Sequence, residues 1–209
     1  MQGKFITLEG MDGAGKSTHI ASIIEQLAAT GAEVVSTREP GGTPLGEQLR
    51  ELLLHDAMHP ETETLLMFAA RREHIAKVIA PALARGAYVL SDRFTDATYA
   101  YQYGAKGVAS EKIKQLETWV QGQGKNSVQP DLTVLFDVPV AVSLARLASA
   151  RQPDKFEREG AVFFEKLRAA YLMRAAENPQ RFHVINANQT LDNVKFEVNK
   201  LLKEFILNN

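Results

Sequence analysis

The chain has 209 residues, 45% of them hydrophobic and 23% charged, enough to bury one sizeable core and near the length of a single domain. Its 24 Lys and Arg against 25 Asp and Glu leave a net charge of -1, so no global basic field draws it to nucleic acid or anionic lipid. The absence of cysteine excludes disulfide frameworks, thiolate metal sites and thiol nucleophiles.

In chain order, the first β-rich run, Lys4–Glu9, is followed by a glycine-rich turn and a helical pattern over Ser17–Ala29. Glu9 and Asp12 stand where a signal peptide would need an unbroken apolar stretch, and no segment approaches the roughly 18 apolar residues of a membrane span. The expectation is a cytoplasmic enzyme or switch. A second run, Glu33–Thr37, leads into a Gly/Pro-bearing segment, Arg38–Gly46, read as a loop. Pro60, with Glu61 and Glu63 behind it, opens a helix expected to reach Ala80, because the ring fixes φ and the carboxylates complement the helix dipole.

The third run, Ala87–Asp92, precedes a helix over Glu111–Gly122. The fourth, Asp131–Asp137, is nearly continuous in apolar residues and reads as an internal strand buried on both faces. Helices over Val140–Ala150 and Phe163–Glu177 bracket an irregular mixed-charge segment, Ala150–Gly160. A fifth run, Arg181–Asn186, and a helix over Leu191–Leu207 complete the chain. Five strands alternating with helices predict an α/β fold with a five-stranded parallel sheet covered on both faces.

Gly10 to Ser17 fits GxxxxGK(S/T) between a strand and a helix, the context in which that pattern cradles phosphates. Backbone N–H groups of the loop and the positive end of the following helix would hold phosphate oxygens. Lys16 would reach the terminal phosphates and Ser17 would ligate Mg²⁺. Asn199-Lys200 is followed by two leucines rather than by the aspartate of a guanine reader, which disfavours GTPase switching.

Three further features point to a second anionic ligand beside those phosphates. Asp92-Arg93 closes the third β-run, and in an open α/β sheet the carboxyl ends of strands face the ligand crevice. Arg93 would fork onto a phosphate, and Asp92 would hold Mg²⁺ through water or orient that arginine. On the Pro60–Ala80 helix, Leu65, Phe68, Arg72, Ile75 and Ile79 share one stripe, with a permanent charge among apolar groups; a planar base stacked on Phe68 and facing Arg72 would partner it. Arg146, Arg151, Lys155 and Arg158 surround the irregular segment and would reach transferring phosphoryl oxygens from a closing lid.

Together these residues resemble the bacterial thymidylate kinases from end to end. The matching blocks are EGMDGAGKST (Glu9–Thr18), TREPGGT (Thr37–Thr43), LLMFAARR (Leu65–Arg72), SDRF (Ser91–Phe94), AYQ (Ala100–Gln102), PDLTVLFDV (Pro130–Val138) and DKFE (Asp154–Glu157). The resemblance implies one P-loop NTPase domain over residues 1–209, a lid over about 146–160, and transfer of the ATP γ-phosphoryl to dTMP with Mg²⁺. It implies that Gly13, Ala14, Gly15, Lys16, Ser17, Thr18 and Arg146 hold ATP, with Asn188–Thr190 near adenine. Asp12 would meet the deoxyribose 3′-hydroxyl and Arg93 the dTMP phosphate. Phe68 would stack on thymine, Arg72 would read its carbonyl edge, and Pro40, Thr98, Tyr101 and Gln102 would line the pocket.

Ser17 and Asp92 are the implied metal residues. With Met11, Asp12, Gly13 and Ala14 in the variable loop positions, the P-loop supplies no arginine, so catalytic charge is expected from the lid: Arg151 first, Lys155 and Arg158 after it. A homodimer is implied as well, with no nucleic-acid or membrane partner. Another P-loop kinase of nucleoside monophosphates or deoxynucleosides, or a nucleotide-dependent switch protein, remains the alternative.

Overall fold

A computed structural model describes residues 3–124, 127–148 and 154–208. Its five strands are β1 (Lys4–Glu9), β2 (Val34–Arg38), β3 (Tyr88–Asp92), β4 (Leu132–Asp137) and β5 (Phe182–Asn186). They form one sheet in the order β2-β3-β1-β4-β5, and every pairing is parallel. The five strands expected from the sequence are all present, within a residue of the expected bounds. β4 is internal as read, and β1 occupies the centre.

The helices are α1 (Lys16–Ala28), α2 (Pro44–His55), α3 (Pro60–His74), α4 (Ala80–Ala84), α5 (Thr95–Thr98), α6 (Ser110–Gln121), α7 (Val140–Ala148), α8 (Ala161–Glu177) and α9 (Leu191–Leu207). One apolar layer joins Ile6, Leu8, Ile23, Leu27, Leu167 and Val198, fixing α1, α8 and α9 to the sheet. The other joins Phe5, Phe68, Ile79, Val89 and Ile113, fixing α3 and α6. Each such fully buried side chain contributes about 1.5–3 kcal/mol, so the layers hold the strand ends in a fixed frame.

Helix starts follow local chemistry. Thr43 Oγ1 accepts from Gly46 N with Pro44 in the first turn, and Thr190 caps α9 through Asn193 N. The helix expected over Pro60–Ala80 instead changes register. α3 ends at His74, a π-helical turn covers Ile75–Ile79, and the chain stays helical through Pro81 to Ala84. Pro81 has no N–H to give the preceding turn, and Ala80 N donates five residues back, to Ile75 O, so the ladder widens before the proline rather than breaking at it.

Two elements were not anticipated: α2, which shortens the expected Arg38–Gly46 loop to residues 39–43, and α5 with a π-helical segment, Tyr99–Ala105. Of the irregular stretch, residues 149–153 lie outside the described residues. Asp154 then opens a turn, its Oδ1 accepting from Phe156 N and Glu157 N. Among the described residues no helix is long and apolar enough to cross a membrane.

Candidate active site

The crevice lies over the carboxyl ends of β1 and β3, where β1 turns into α1 through Gly10–Gly15. Gly13 has φ 78°, and a Cβ there would lie 2.6 Å from Ser143 O, so only glycine lets the loop close against α7. Ser143 Oγ donates to Asp12 O at 2.6 Å and braces the same loop. Gly15, at φ 98°, enters α1 with no side-chain cap, which leaves the first-turn amides of Lys16 and Ser17 uncapped, while Thr18 N donates to Gly15 O at 3.2 Å. Lys16 Nζ folds back on the loop, donating to Gly10 O at 2.9 Å and Met11 O at 3.0 Å. Burial, then the neighbouring Arg93, pushes its ammonium below the ordinary lysine value.

Beside the loop, Ala14, Gly15 and Thr18 form a hollow of about 500 Å³ with Arg146 and Gln189. Arg146 spans it, donating to Gly13 O and to Ala187 O at 3.2 Å each. The structure thus brings Ala14, Gly15, Thr18, Arg146 and Gln189 together around one hollow, with Gly13 O bonded to Arg146.

On the other side of the loop opens a cavity of about 580 Å³. Arg93 follows β3 with φ 71°, a left-handed conformation that costs a non-glycine residue roughly 1–2 kcal/mol, and its amide is tied to Leu8 O at 2.9 Å. Arg93 Nη2 donates to Asp12 Oδ1 at 2.6 Å and to Tyr101 OH at 3.0 Å, while Tyr101 OH donates to Asp12 Oδ2 at 2.8 Å. Burial alone would raise Asp12, but the charges of Arg93 and Lys16 override it and hold the carboxylate well below the usual range. Asp12 and Arg93 thus form an ion pair, with the neutral Tyr101 hydroxyl bonded to both, between the phosphate loop and the cavity.

The far wall comes from α3 and the 95–105 segment. Pro40, Thr98, Tyr101 and Gln102 line the cavity as expected, joined by Arg50, Met67, Arg71 and Phe156. Arg71, 2% exposed, stacks over Phe68 at 4.7 Å and Phe94 at 5.2 Å from the ring centres. Its Nε donates to Glu39 at 2.7 Å and its Nη2 to Thr98 Oγ1 at 3.0 Å and Phe94 O at 3.3 Å. Its Nη1 is buried without a hydrogen-bond partner.

This geometry corrects two expectations by one position each. Arg72 does not face the cavity; its Nη1 donates to Val120 O on α6 at 3.0 Å. Phe68 is 1% exposed beneath Arg71 and outside the cavity lining, where Met67 stands instead. The helical stripe through Phe68, Ile75 and Ile79 admits an arginine three or four residues after Phe68 equally well, so periodicity alone could not separate Arg71 from Arg72. A further signal was available: only the residue at 71 stands four after Met67 and three before His74, which puts all three on one face.

One lid assignment also changes, and another, Arg151, lies outside the described residues. Lys155 is not turned toward the phosphates: its Nζ lies 2.8 Å from Glu63 and donates to Asp56 O at 2.8 Å. Arg158 follows in the turn that Asp154 opens, its amide donating to Asp154 O at 3.1 Å. Arg50 went unnoticed in the sequence because α2 went unread; its Nη1 donates to Pro40 O at 2.8 Å at the cavity wall.

At the metal end, Ser17, Thr37 and Asp92 share a third, open hollow. Asp92 Oδ1 is buried without a hydrogen-bond partner, and a lone carboxylate beside a hydroxyl is an oxygen donor set that suits a hard cation sharing phosphate oxygens. Among the described residues no group of three or more His, Asp or Glu side chains gathers to hold an ion by itself.

Comparison with known proteins identifies the family. The family model described as thymidylate kinase matches residues 8–198. The chain is 66% identical to a thymidylate kinase of Methylobacillus flagellatus, covering 98% of this chain and 99% of that one. It is 62% identical to one of Cupriavidus metallidurans, with 97% and 98% covered. The crystal structure of thymidylate kinase from Ehrlichia chaffeensis superposes with a TM-score of 0.78 at 35% identity, over 97% of this chain and 99% of that one.

Proposed function

Since the chain belongs to the thymidylate kinase family, we propose that it phosphorylates dTMP to dTDP with ATP as donor, the two nucleotides meeting end to end across the Lys16–Asp12–Arg93 cluster. The observation that carries the site assignment is Arg71 Nη1, a buried cation donor with no protein partner in a side chain that lines the cavity. A ring carbonyl is the acceptor it lacks. The Met67 thioether on the same wall would lie against the ring face in place of the expected aromatic stack.

In this assignment the amides of Gly13–Thr18 take the ATP phosphates, and Arg146 with the 188–190 loop takes the adenosine end. Lys16 releases its loop carbonyls to reach the transferring group. Arg93 presents its guanidinium to the acceptor phosphate, and Asp12 with Tyr101 holds that guanidinium in place and meets the sugar. Ser17 and Asp92 would hold Mg²⁺, which would supply positive charge against the donor phosphates. The accepting phosphate is already largely ionised at pH 7, so no protein group need act as general base. What the protein supplies is alignment and positive charge between two polyanions. Arg151 stays with this proposal as the lid cation.

The test is ADP release from ATP and Mg²⁺ over a panel of nucleoside monophosphates. Turnover is expected with dTMP far above dCMP, dAMP or dGMP. Equal turnover across the panel would remove the base-reading assignment, and ADP release without any acceptor would favour a nucleotide switch. A homodimer belongs to the same proposal, with sedimentation at twice the monomer mass as its check.

A further inference from the structure

We propose that Glu39 and His74 are positioning residues for base selection, acting on the acceptor through Arg71; this rests on the base-reading assignment of Arg71. The guanidinium has three nitrogens, and the fold engages two. Glu39 takes Nε, while Thr98 and the Phe94 carbonyl take Nη2, so rotation about the last side-chain bonds is closed and Nη1 is left unpaired in a side chain that lines the cavity. A charged group 2% exposed needs its counter-ion in contact, and Glu39, itself 5% exposed, is that counter-ion.

Glu39 is in turn fixed from behind. Its second carboxylate oxygen lies 2.8 Å from His74 Nδ1, and His74 Nε2 lies 2.7 Å from Thr37 Oγ1. A neutral ring that donates from Nδ1 and accepts from Nε2 satisfies every partner in this row. His74 is completely buried, and Glu39 N is tied to Asp92 O at 3.0 Å, so neither end of the row can drift. None of Glu39, His74 and Thr37 belongs to the assigned chemistry, yet together they determine where the one unpaired donor points. The row also runs from the base wall to the hollow that Thr37 shares with Ser17 and Asp92.

Glutamine at position 39 keeps the shape but offers one acceptor to two facing donors, Arg71 Nε and His74 Nδ1, so one of the two contacts must fail. For Glu39→Gln we expect KM for dTMP to rise about tenfold, the preference for dTMP over dCMP to shrink about as much, and KM for ATP to stay within about twofold. Equal losses for both nucleotides, or none for either, would overturn the proposal. Should Glu39→Gln fail to fold, position 74 reads the same quantity. Asn at 74 places an amide N–H near the Nδ1 position, whereas Phe removes it, so His74→Asn should keep the preference that His74→Phe loses. Identical behaviour of the two variants would overturn the role of the row. Arg71→Lys separates the proposal from its premise: if that change leaves the dTMP preference intact, base reading by Arg71 is wrong; if only Arg71→Lys matters, the base reading stands and the positioning role falls.

Discussion

Arg93 combines a strained backbone with a side chain anchored through Nη2 while its buried Nε has no hydrogen-bond partner, and backbone and side chain can be separated by substitution. Alanine removes the guanidinium but keeps the strain at φ 71°; glycine removes both. Both variants should lose at least about a hundredfold in kcat/KM for dTMP, since a fixed cation at the acceptor phosphate is gone. In urea melts, Arg93→Gly should be more stable than Arg93→Ala by about 1 kcal/mol. If the two variants have equal stability, the strain is not where the backbone places it. Residue-level legibility was uneven for a physical reason. Arg93 could be read because a strand end in an α/β sheet points to one place. Arg71 was harder to read, because beyond its spacing to Met67 and His74 its selection over Arg72 depends on Glu39, 32 residues away in sequence, which folding brings within 2.7 Å.

Among the elements, the turn after Asp154 stands out, because it is held by a carboxylate that never meets solvent. Glu63, 0% exposed on α3, binds Lys155 at 2.8 Å, Lys106 at 2.9 Å and Gln102 at 2.9 Å. Above them Phe156 meets Tyr101 edge-on at 5.4 Å and walls the cavity. Glu63→Gln would leave two ammonium groups in a mostly buried site without their counter-charge, so we expect a loss of about 3–5 kcal/mol in unfolding free energy and a raised KM for dTMP. A melting temperature unchanged from wild type would mean the lysines reach solvent instead. Strong period made the 60–74 and 191–207 helices legible. α2 was hidden behind a Gly/Pro segment, and Tyr99–Ala105 carries a π register that a search for 3.6-residue spacing passes over. Of the residues on the missed elements, Thr98, Tyr101 and Gln102 were named through the family resemblance alone, and Arg50 on α2 was not read at all.

Across the molecule, the central strand ends on a charge that the surrounding sheet and helices bury. Glu9 accepts from Phe94 N at 2.7 Å and Tyr171 OH at 3.0 Å; burial, then Asp96, pushes its carboxyl from the ordinary 4.5 to about 8. Asp96 is held in the opposite sense: burial alone would raise it, but Arg181 and Arg174 keep it low. For Glu9 the folded state holds the proton more tightly than the unfolded chain, so unfolding releases protons between these two values. Stability should therefore fall as pH rises from about 4.5 to about 8, by at most about 1.4 kcal/mol per pH unit. Urea midpoints from pH 5 to 9 should follow that slope, and Glu9→Gln should flatten it; an equal slope in the variant would place the titrating group elsewhere. The parallel order itself was readable from five β-runs alternating with helices. The buried Glu9–Asp96 pairing was not, since it joins β1 to α5, a helix the sequence did not announce.

The tie from Arg93 N to Leu8 O has a consequence for substrate length. It bolts the acceptor's anchor to the strand that ends in the donor's loop, and neighbouring strands keep a spacing of about 4.8 Å that no hinge can stretch. The sheet thereby works as a fixed gauge. On the proposed assignment of Arg93 to the acceptor phosphate, a thymine nucleotide already carrying two phosphates would overrun the gap and a bare nucleoside would fall short of it, so the scaffold would count the acceptor's phosphates before any side chain moves.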